Sequence, residues 1–439
     1  MNILEKIRRF RTEADEPVYD CREGCYMLLY RNVNAEEYCA WINALETDGY
    51  EILQRTDMNG NLYTCLTGDV LVNALFTPCD GILRVSASKN KRVPNFEKQI
   101  CKGDCQTAFY AFESDQTLID CGMCLLVQCP DYSFFVVDSG HYLQMNDNDR
   151  IYKFMRERTP QGQKVVVNGW LLSHAHSDHV SKFMDFLRYN RDDVIIEGIY
   201  SNLIPDYNAA NVHWDTEETL LAAKLFKVLD NTDIPTYKIH TGQRFYIRNL
   251  CFDVMGTHED IYPQLVRDYN DSSCMVMLTA ENSRVFIPGD ASNLASIELV
   301  KRYGETLKCD VVQMSHHGHN GLYKDAYELL DACVAVFPIT RIKFDEEYPR
   351  IEANRRAIEL AEKYYITSDG TVKIPLPFSL ESIEKLPDET FEDFGKIERL
   401  WGYTYTDERK KELYDIFLSN GGSLDNATLP VRYEGIFSM

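Results

Sequence analysis

Short apolar runs that end on polar side chains dominate the middle of the chain. Ser133 to Val137, Trp170 to Ser173, Val285 to Pro288 and Val311 to Ser315 are such runs. They lack polar alternation, which marks strands covered on both faces, and helical segments separate them, which predicts a layered α/β body. Each leads straight into aspartate or histidine. The region that reads this way covers residues 104–375. Near its end the pattern predicts a helix over Ile351 to Lys363 and a hairpin turned at Ser368-Asp369-Gly370.

The first hundred residues have a different rhythm. Ile3, Ile7 and Phe10 sit at helical spacing. A strand follows from Cys25 to Val33, then a helix opened by Asn34 with Glu36 and Glu37 in its first turn and stopped at Asp48-Gly49. The turn Met58-Asn59-Gly60-Asn61 joins two strands, and Ile82 to Val85 is a further one. Residues 1–100 therefore read as a small α+β accessory domain. Lys89, Lys91, Arg92, Lys98 and Lys102 make the stretch that follows basic, which reads as a solvated linker, with guidance of an anionic substrate as the alternative. Residues 376–439 read as a C-terminal extension with one helix, from Thr406 to the Asn420-Gly421-Gly422 stop. The aromatic residues of that extension predict packing on the body.

At 439 residues the chain is longer than one core usually supports, in keeping with a body plus attachments. The net charge of -22 repels polyanions, so double-stranded nucleic acid is not an expected partner. A small anionic or ester substrate remains open, because a few local cations overturn the mean field inside a cleft. A charged amino terminus and the absence of a long apolar stretch predict a cytoplasmic protein with no membrane partner. The fourteen cysteines then read as reduced thiols. Of Cys21/Cys25, Cys101/Cys105 and Cys121/Cys124, only the last has the spacing of common structural zinc sites, so small buried side chains are the preferred reading.

The densest chemistry is His174-Ala175-His176-Ser177-Asp178-His179, directly after a buried run. A strand end followed by a tight loop turns the alternating imidazoles toward one point, and the aspartate and last histidine toward a second point nearby. Two neighbouring metal ions are the natural occupants.

This segment resembles the signature of the metallo-β-lactamase superfamily, which implies an αββα sandwich with its ligands at one rim. Phe134-Phe135-Val136-Val137-Asp138-Ser139-Gly140 resembles the strand ending in a supporting aspartate. Val285 to Asp290 resembles the strand that delivers the bridging aspartate, and Ser315-His316-His317-Gly318 a later metal-binding turn. With Asn270-Asp271-Ser272-Ser273 these are similar to the branch containing the competence DNA-uptake hydrolase domain and the bacterial phosphorylcholine esterase. The resemblance covers residues 120–365.

It implies two zinc ions, one held by His174, His176 and His316, the other by Asp178 and His179, with Asp290 bridging. His317 would support the ligands from behind; the opposite assignment of His316 and His317 stays open. Where the branch has a histidine before a proline, this chain has Tyr348-Pro349. The second site would then draw on Tyr348, Glu347 or Asp345, and manganese or iron would suit it better than zinc. The implied reaction is phosphoester or phosphodiester hydrolysis by a hydroxide held between the ions, with His317, His258 or Tyr348 as catalytic proton donor. Lactone, thioester or amide hydrolysis is the alternative on the same fold, and a degenerate, non-catalytic metal-binding scaffold the second. The N-terminal domain is left with three roles: covering the cleft, selecting substrate, or pairing chains into a homo-oligomer.

Overall fold

The computed structural model describes residues 3–20, 24–89, 91–115, 118–144, 146–204, 216–264, 266 and 268–387. The expected C-terminal helix from Thr406 lies outside the described residues.

The N-terminal module is an antiparallel sheet in the order Tyr19–Asp20, Tyr26–Tyr30, Ile82–Ser88, Leu71–Thr77, Asn61–Thr67, Glu51–Met58. One helix, Ala35–Thr47, covers one face. Asn34 and Glu37 cap its start reciprocally, a device that stabilises by about 1 kcal/mol. Tyr38, Trp41, Ile42 and Leu45 pack on Leu28, Leu66, Val72, Phe76 and Val85. The period of two sends Met27, Tyr63, Leu75 and Arg84 to the opposite face, which is also buried, against the body. At the amino terminus only Ile3–Glu5 is helical, as a single 3-10 turn, because Ile3, Leu4 and Ile7 are all drawn into this core.

Hydrogen bonds join the module to the body at several points. Gln54 and Arg244 exchange side chain-backbone bonds at 2.6 and 3.2 Å, and Thr56 Oγ1 donates to Gly242 O at 2.5 Å. Asn59 and Asn61 both donate to Arg302 O. Gly242 has φ +88°, and a Cβ there would stand 2.8 Å from Tyr63 Cβ, so glycine permits the close approach of the two modules.

The body contains two sheets. In the first the strands run Thr236–Lys238, Ile199–Ser201, Val165–Leu172, Phe134–Asp138, Cys124–Gln128, Ala108–Ala111, Val372–Pro375, Glu384–Lys385, with Val194–Ile196 also pairing Val165–Leu172. In the second the order is Arg244–Ile247, Leu250–Gly256, Met275–Ala280, Ser283–Ile287, Val311–Gln313, Val334–Phe337, Lys363–Ile366. Alternation assigns every side chain to a layer. Phe135, Val137 and Leu171 meet Phe252, Val276, Val285 and Ile287 between the sheets, while Phe134, Val136, Trp170 and Leu172 face Phe183, Phe186 and Leu225 of outer helices. On the far side Phe286, Val312 and Phe337 face Leu299, Tyr327 and Phe344. The order helix, sheet, sheet, helix is the αββα sandwich that the metallo-β-lactamase resemblance implies.

Two local expectations differ. The helix expected to reach Lys363 ends at Leu360, and Lys363–Ile366 is a strand parallel to Val334–Phe337. The turn at Ser368-Asp369-Gly370 joins no hairpin, since Val372–Pro375 pairs with Ala108–Ala111 in the other sheet. The two strands are thus divided between the two sheets, one parallel to its partner and the other antiparallel. The first sheet also continues past residue 376, through Glu384–Lys385.

Candidate metal centre

Five parallel strands, ending at Asp138, Leu172, Ile287, Gln313 and Phe337, deliver their C-terminal ends to one rim. Such ends are where α/β sheets place ligands. His174 follows Leu172 by two residues, and the helix Ser177–Tyr189 begins at once, so Asp178 and His179 sit in its first turn. The first-turn carboxylate is favoured by the helix dipole. Glu218 holds that turn in place, accepting from Ser177 N at 2.8 Å and Ser177 Oγ at 2.5 Å.

Side chains from both sheets converge in two groups that share Asp290: Asp178, His179, Asp290 and His317, and His174, His176 and Asp290. His317 Nε2 lies 2.8 Å from Asp178 Oδ2 and 3.3 Å from Asp290 Oδ2; His179 Nε2 lies 3.1 Å from Asp290 Oδ2. His174 Nε2 is 3.2 Å from His176 Nδ1 and 3.9 Å from Asp290 Oδ2. Asp290 follows Gly289, whose φ of +60° brings it against Ser173 and Ser273 and leaves no room for a Cβ without displacement.

Supporting contacts fix which nitrogen of each ring faces inward. His317 Nδ1 lies 3.0 Å from Pro338 O, a carbonyl that can only accept, so the proton resides on Nδ1. His179 Nδ1 is held in the same way by Asp138 Oδ2 at 2.7 Å. Asp138, itself at φ +55°, also takes Ser173 N and Ser173 Oγ at 2.8 and 2.6 Å. On the other ring pair, Ser173 Oγ sits 3.0 Å from His174 Nδ1 and Asp268 Oδ1 lies 3.6 Å from His176 Nε2.

The donor set fits divalent cations. With Nδ1 of both rings turned to an outer acceptor, the Nε2 atoms of His179 and His317 face one another across 3.2 Å, beside two carboxylates. Asp290 Oδ1 is buried without a hydrogen-bond partner. Burial works against ionised Asp178 and Asp290, yet His179 and His317 hold both well below the usual carboxylate range. The reciprocal pull overcomes the burial of His317 and lifts it to about 9, mainly through Asp290 and Asp178. The cluster therefore recruits positive charge, as protons or as metal ions.

Of the residues singled out in the sequence, His174, His176, Asp178, His179 and Asp290 are brought together, and His317 joins them. His316 does not. Its ring turns outward, Nε2 3.4 Å from Asn270 Nδ2 and Nδ1 3.4 Å from Asn320 O. The cause is local: His316 and His317 both have left-handed backbone, φ +52° and +59°, which throws the second ring inward. The ligand position expected of His316 beside His174 and His176 thus has His317 on the opposite side of Asp290 instead.

Tyr348, expected as a ligand or proton donor, stacks on Phe344 with ring centroids 5.3 Å apart, and Asp345 pairs with Arg341. Neither belongs to a metal-ligating group. Glu347 lies 4.0 Å from His319 Nδ1. His258 has both ring nitrogens engaged, Nδ1 by Tyr19 Oη at 3.0 Å and Nε2 by Asn202 Oδ1 at 2.8 Å, and is likewise outside the cluster. Among the described residues no cysteine joins a metal-ligating group. Cys121 comes near, with Sγ 3.5 Å from Asp178 Oδ2.

Asp268, Glu218 and His319 were not singled out in the sequence, and Cys121 was considered only in a pair with Cys124. Only His319 had a visible signal, as the third histidine within four residues of a strand end.

No helix among the described residues is long and apolar enough to cross a membrane. No protein-family model and no curated protein matches the chain. It is similar to the solved structure of the metallo-beta-lactamase fold protein YhfI from Bacillus subtilis, 12% identical, with TM-score 0.35 over 59% of this chain and 96% of that one. CmlA, a diiron beta-hydroxylase from Streptomyces venezuelae, is 12% identical with TM-score 0.32 over 73% of this chain and 52% of its own. MEM-A1, a subclass B3 metallo-beta-lactamase from a soil metagenome library, is 13% identical with TM-score 0.29 over 51% and 82%.

Proposed function

We propose that the chain is a metal-dependent hydrolase of phosphoesters, foremost phosphodiesters of small or single-stranded substrates. The observation that carries the metal dependence is the facing pair of Nε2 atoms on His179 and His317 beside Asp178 and Asp290. Asp178, His179, Asp290 and His317 would hold one ion; His174, His176 and Asp290 would hold the other. The second set supplies only three protein ligands, the composition of a site that keeps a position open for substrate. Because His317 provides a second imidazole to the first set, a hard ion is no longer needed there, and zinc suits both sites. Ions bound here supply the Lewis acid that lowers the pKa of water and takes up charge on the substrate oxygens.

The protein's own contribution is orientation. Asp138, Pro338 O, Ser173 and Asp268 fix the four imidazoles, as outer partners of metal ligands do. Asp290 ties the two groups together. The phosphoester class is supported by the likeness of the Asn270 to Ser273 and Ser315 to Gly318 motifs to two phosphodiester-cleaving relatives. The test is a panel of bis-aryl phosphates, nucleotides, lactones, thioesters and amides offered to the zinc-loaded protein. Activity confined to the acyl substrates overturns the phosphoester reading, and less than one bound ion per chain favours the scaffold.

A further inference from the structure

A cleft outside the metal cluster has a volume of about 430 Å³, within the range of small-molecule sites. Its walls come from three places: the ends of Ile199–Ser201 and Thr236–Lys238 in the first sheet, the second half of the helix Thr216–Asn231, and the chain leaving the N-terminal module. Lys89, Lys91 and Lys238 line it together with Asn202, Tyr237 and Phe226.

Sheet register places this cleft relative to the metal centre. Leu172, two residues before His174, pairs with Ser201, and Ser201 pairs with Lys238. Two strand spacings, about 10 Å, therefore separate the strand that carries the metal histidines from the one that carries Lys238. Both strands run parallel, so Lys238 stands at the same rim. A substrate seated on the metals and extending across strand ends would reach the cleft without bending around the molecule.

Charge gives the cleft its chemistry. The chain as a whole carries -22, yet three lysines converge here. Lys238 is offset by Glu259 at 3.4 Å. Among the described residues Lys89 and Lys91 have no ion-pair partner. Asp233 and Asp230 also line the cleft, and Asp233 pairs with Arg191 at 3.4 Å. Tyr237 is half-buried and gives the wall an aromatic surface on which a base can stack.

We propose that this cleft binds a second phosphate-bearing, aromatic unit of the substrate, a nucleotide remote from the scissile bond, with Lys89 and Lys91 as its phosphate contacts. The inference rests on the phosphodiesterase reading and deepens it to short single-stranded oligonucleotides. It also gives the N-terminal module a role in substrate selection: its last strand, Ile82–Ser88, delivers both lysines to the body's rim.

The experiment uses the full chain in two parallel assays. The first measures fluorescence anisotropy of a 3′-labelled thymidine tetranucleotide on chelator-treated protein, comparing wild type with Lys89→Glu/Lys91→Glu across a salt series. The double variant is expected to bind about 10-fold more weakly, with a log-log salt slope shallower by about 1.4, the value for two phosphate contacts on a single strand. Equal affinity in the two proteins, or no binding by wild type, overturns the proposal. The second assay follows zinc-loaded hydrolysis of bis(p-nitrophenyl) phosphate, which is too short to reach the cleft. The two proteins should share one kcat/KM on it, which also shows that the variant folds. Binding lost in the variant but no hydrolysis by either protein leaves the cleft and removes the phosphodiesterase reading; hydrolysis with unchanged binding does the reverse.

Discussion

His317 Nε2 lies 2.8 Å from Asp178 Oδ2, so an imidazole from one sheet of the sandwich meets a carboxylate carried by a helix of the other. An ion between them would clamp the open rim from both sides. Metal binding is then folding free energy, and a free-ion concentration of about 100 times Kd should stabilise the protein by about 2.7 kcal/mol per site. Urea unfolding with and without chelator measures this. Coincident midpoints would refute the clamp.

The exchange of roles between His316 and His317 has its own test. His317→Ala should lose one of two bound ions, because it removes one imidazole from a four-residue set. His316→Ala should keep both, since its ring faces Asn270 and Asn320. Elemental analysis after dialysis distinguishes them; a one-ion loss in His316→Ala would restore the assignment implied by the resemblance.

Asp138 touches no ion in this arrangement, yet it decides which nitrogen of His179 faces inward and anchors Ser173. Asp138→Asn should weaken metal affinity by about 10- to 100-fold without abolishing binding, the usual cost of losing an outer partner of a ligating histidine. Competition against a chromophoric zinc chelator reads the constant. An unchanged constant would show that Ser173 alone suffices.

What the sequence revealed and what it hid follows from range. His174 to His179 were legible because one strand end, read locally, sets where each side chain goes; Asp290 was legible through the resemblance of the Val285 to Asp290 segment. The choice between His316 and His317 was not, since it turns on two successive left-handed residues, a conformation that non-glycine side chains seldom adopt and that no periodic pattern announces. Asp268 and Cys121 reach the site from distant segments and carry no local periodic signal. Lys363–Ile366 and Val372–Pro375 read as a hairpin because alternation identifies a strand without saying which sheet will accept it. The linker lysines were visible as a charge run, but only the fold brings Lys89 and Lys91 to one cleft.

The junction between the N-terminal module and the body should be sensitive to acid. Two buried guanidinium groups, Arg84 and Arg302, share Asp260, at 3.4 and 2.6 Å. Burial raises the Asp260 pKa, but Arg302 and Arg84 outweigh it and hold the carboxyl below its ordinary 3.8. A depressed folded pKa means that the stabilisation is complete above 3.8 and drains away as pH falls below it. Asp260→Ala should cost about 3 to 5 kcal/mol at neutral pH, because it strands two buried cations. Denaturant unfolding checks the magnitude; a loss under about 1 kcal/mol would mean that Glu298, 2.9 Å from Arg302, compensates.

His258 supplies the opposite chemistry at the same junction. Its ring is buried between Tyr19 of the N-terminal module and Asn202 of the body, and burial, reinforced by the charge of Lys238, lowers its pKa to about 3. The unfolded chain therefore binds a proton near pH 6.5 that the folded protein refuses until about pH 3. Stability linked to this group is intact above pH 6.5 and falls as the pH descends, by up to about 1.4 kcal/mol per unit. Every other group is common to wild type and His258→Gln, so its contribution cancels in the difference. Urea unfolding between pH 5 and 7 should show the wild-type stability dropping more steeply than that of the variant. Parallel slopes would mean that the folded protein does accept this proton, through Glu259 and Asp260 close by, and that His258 is an ion-pair partner rather than a neutral hinge between the modules.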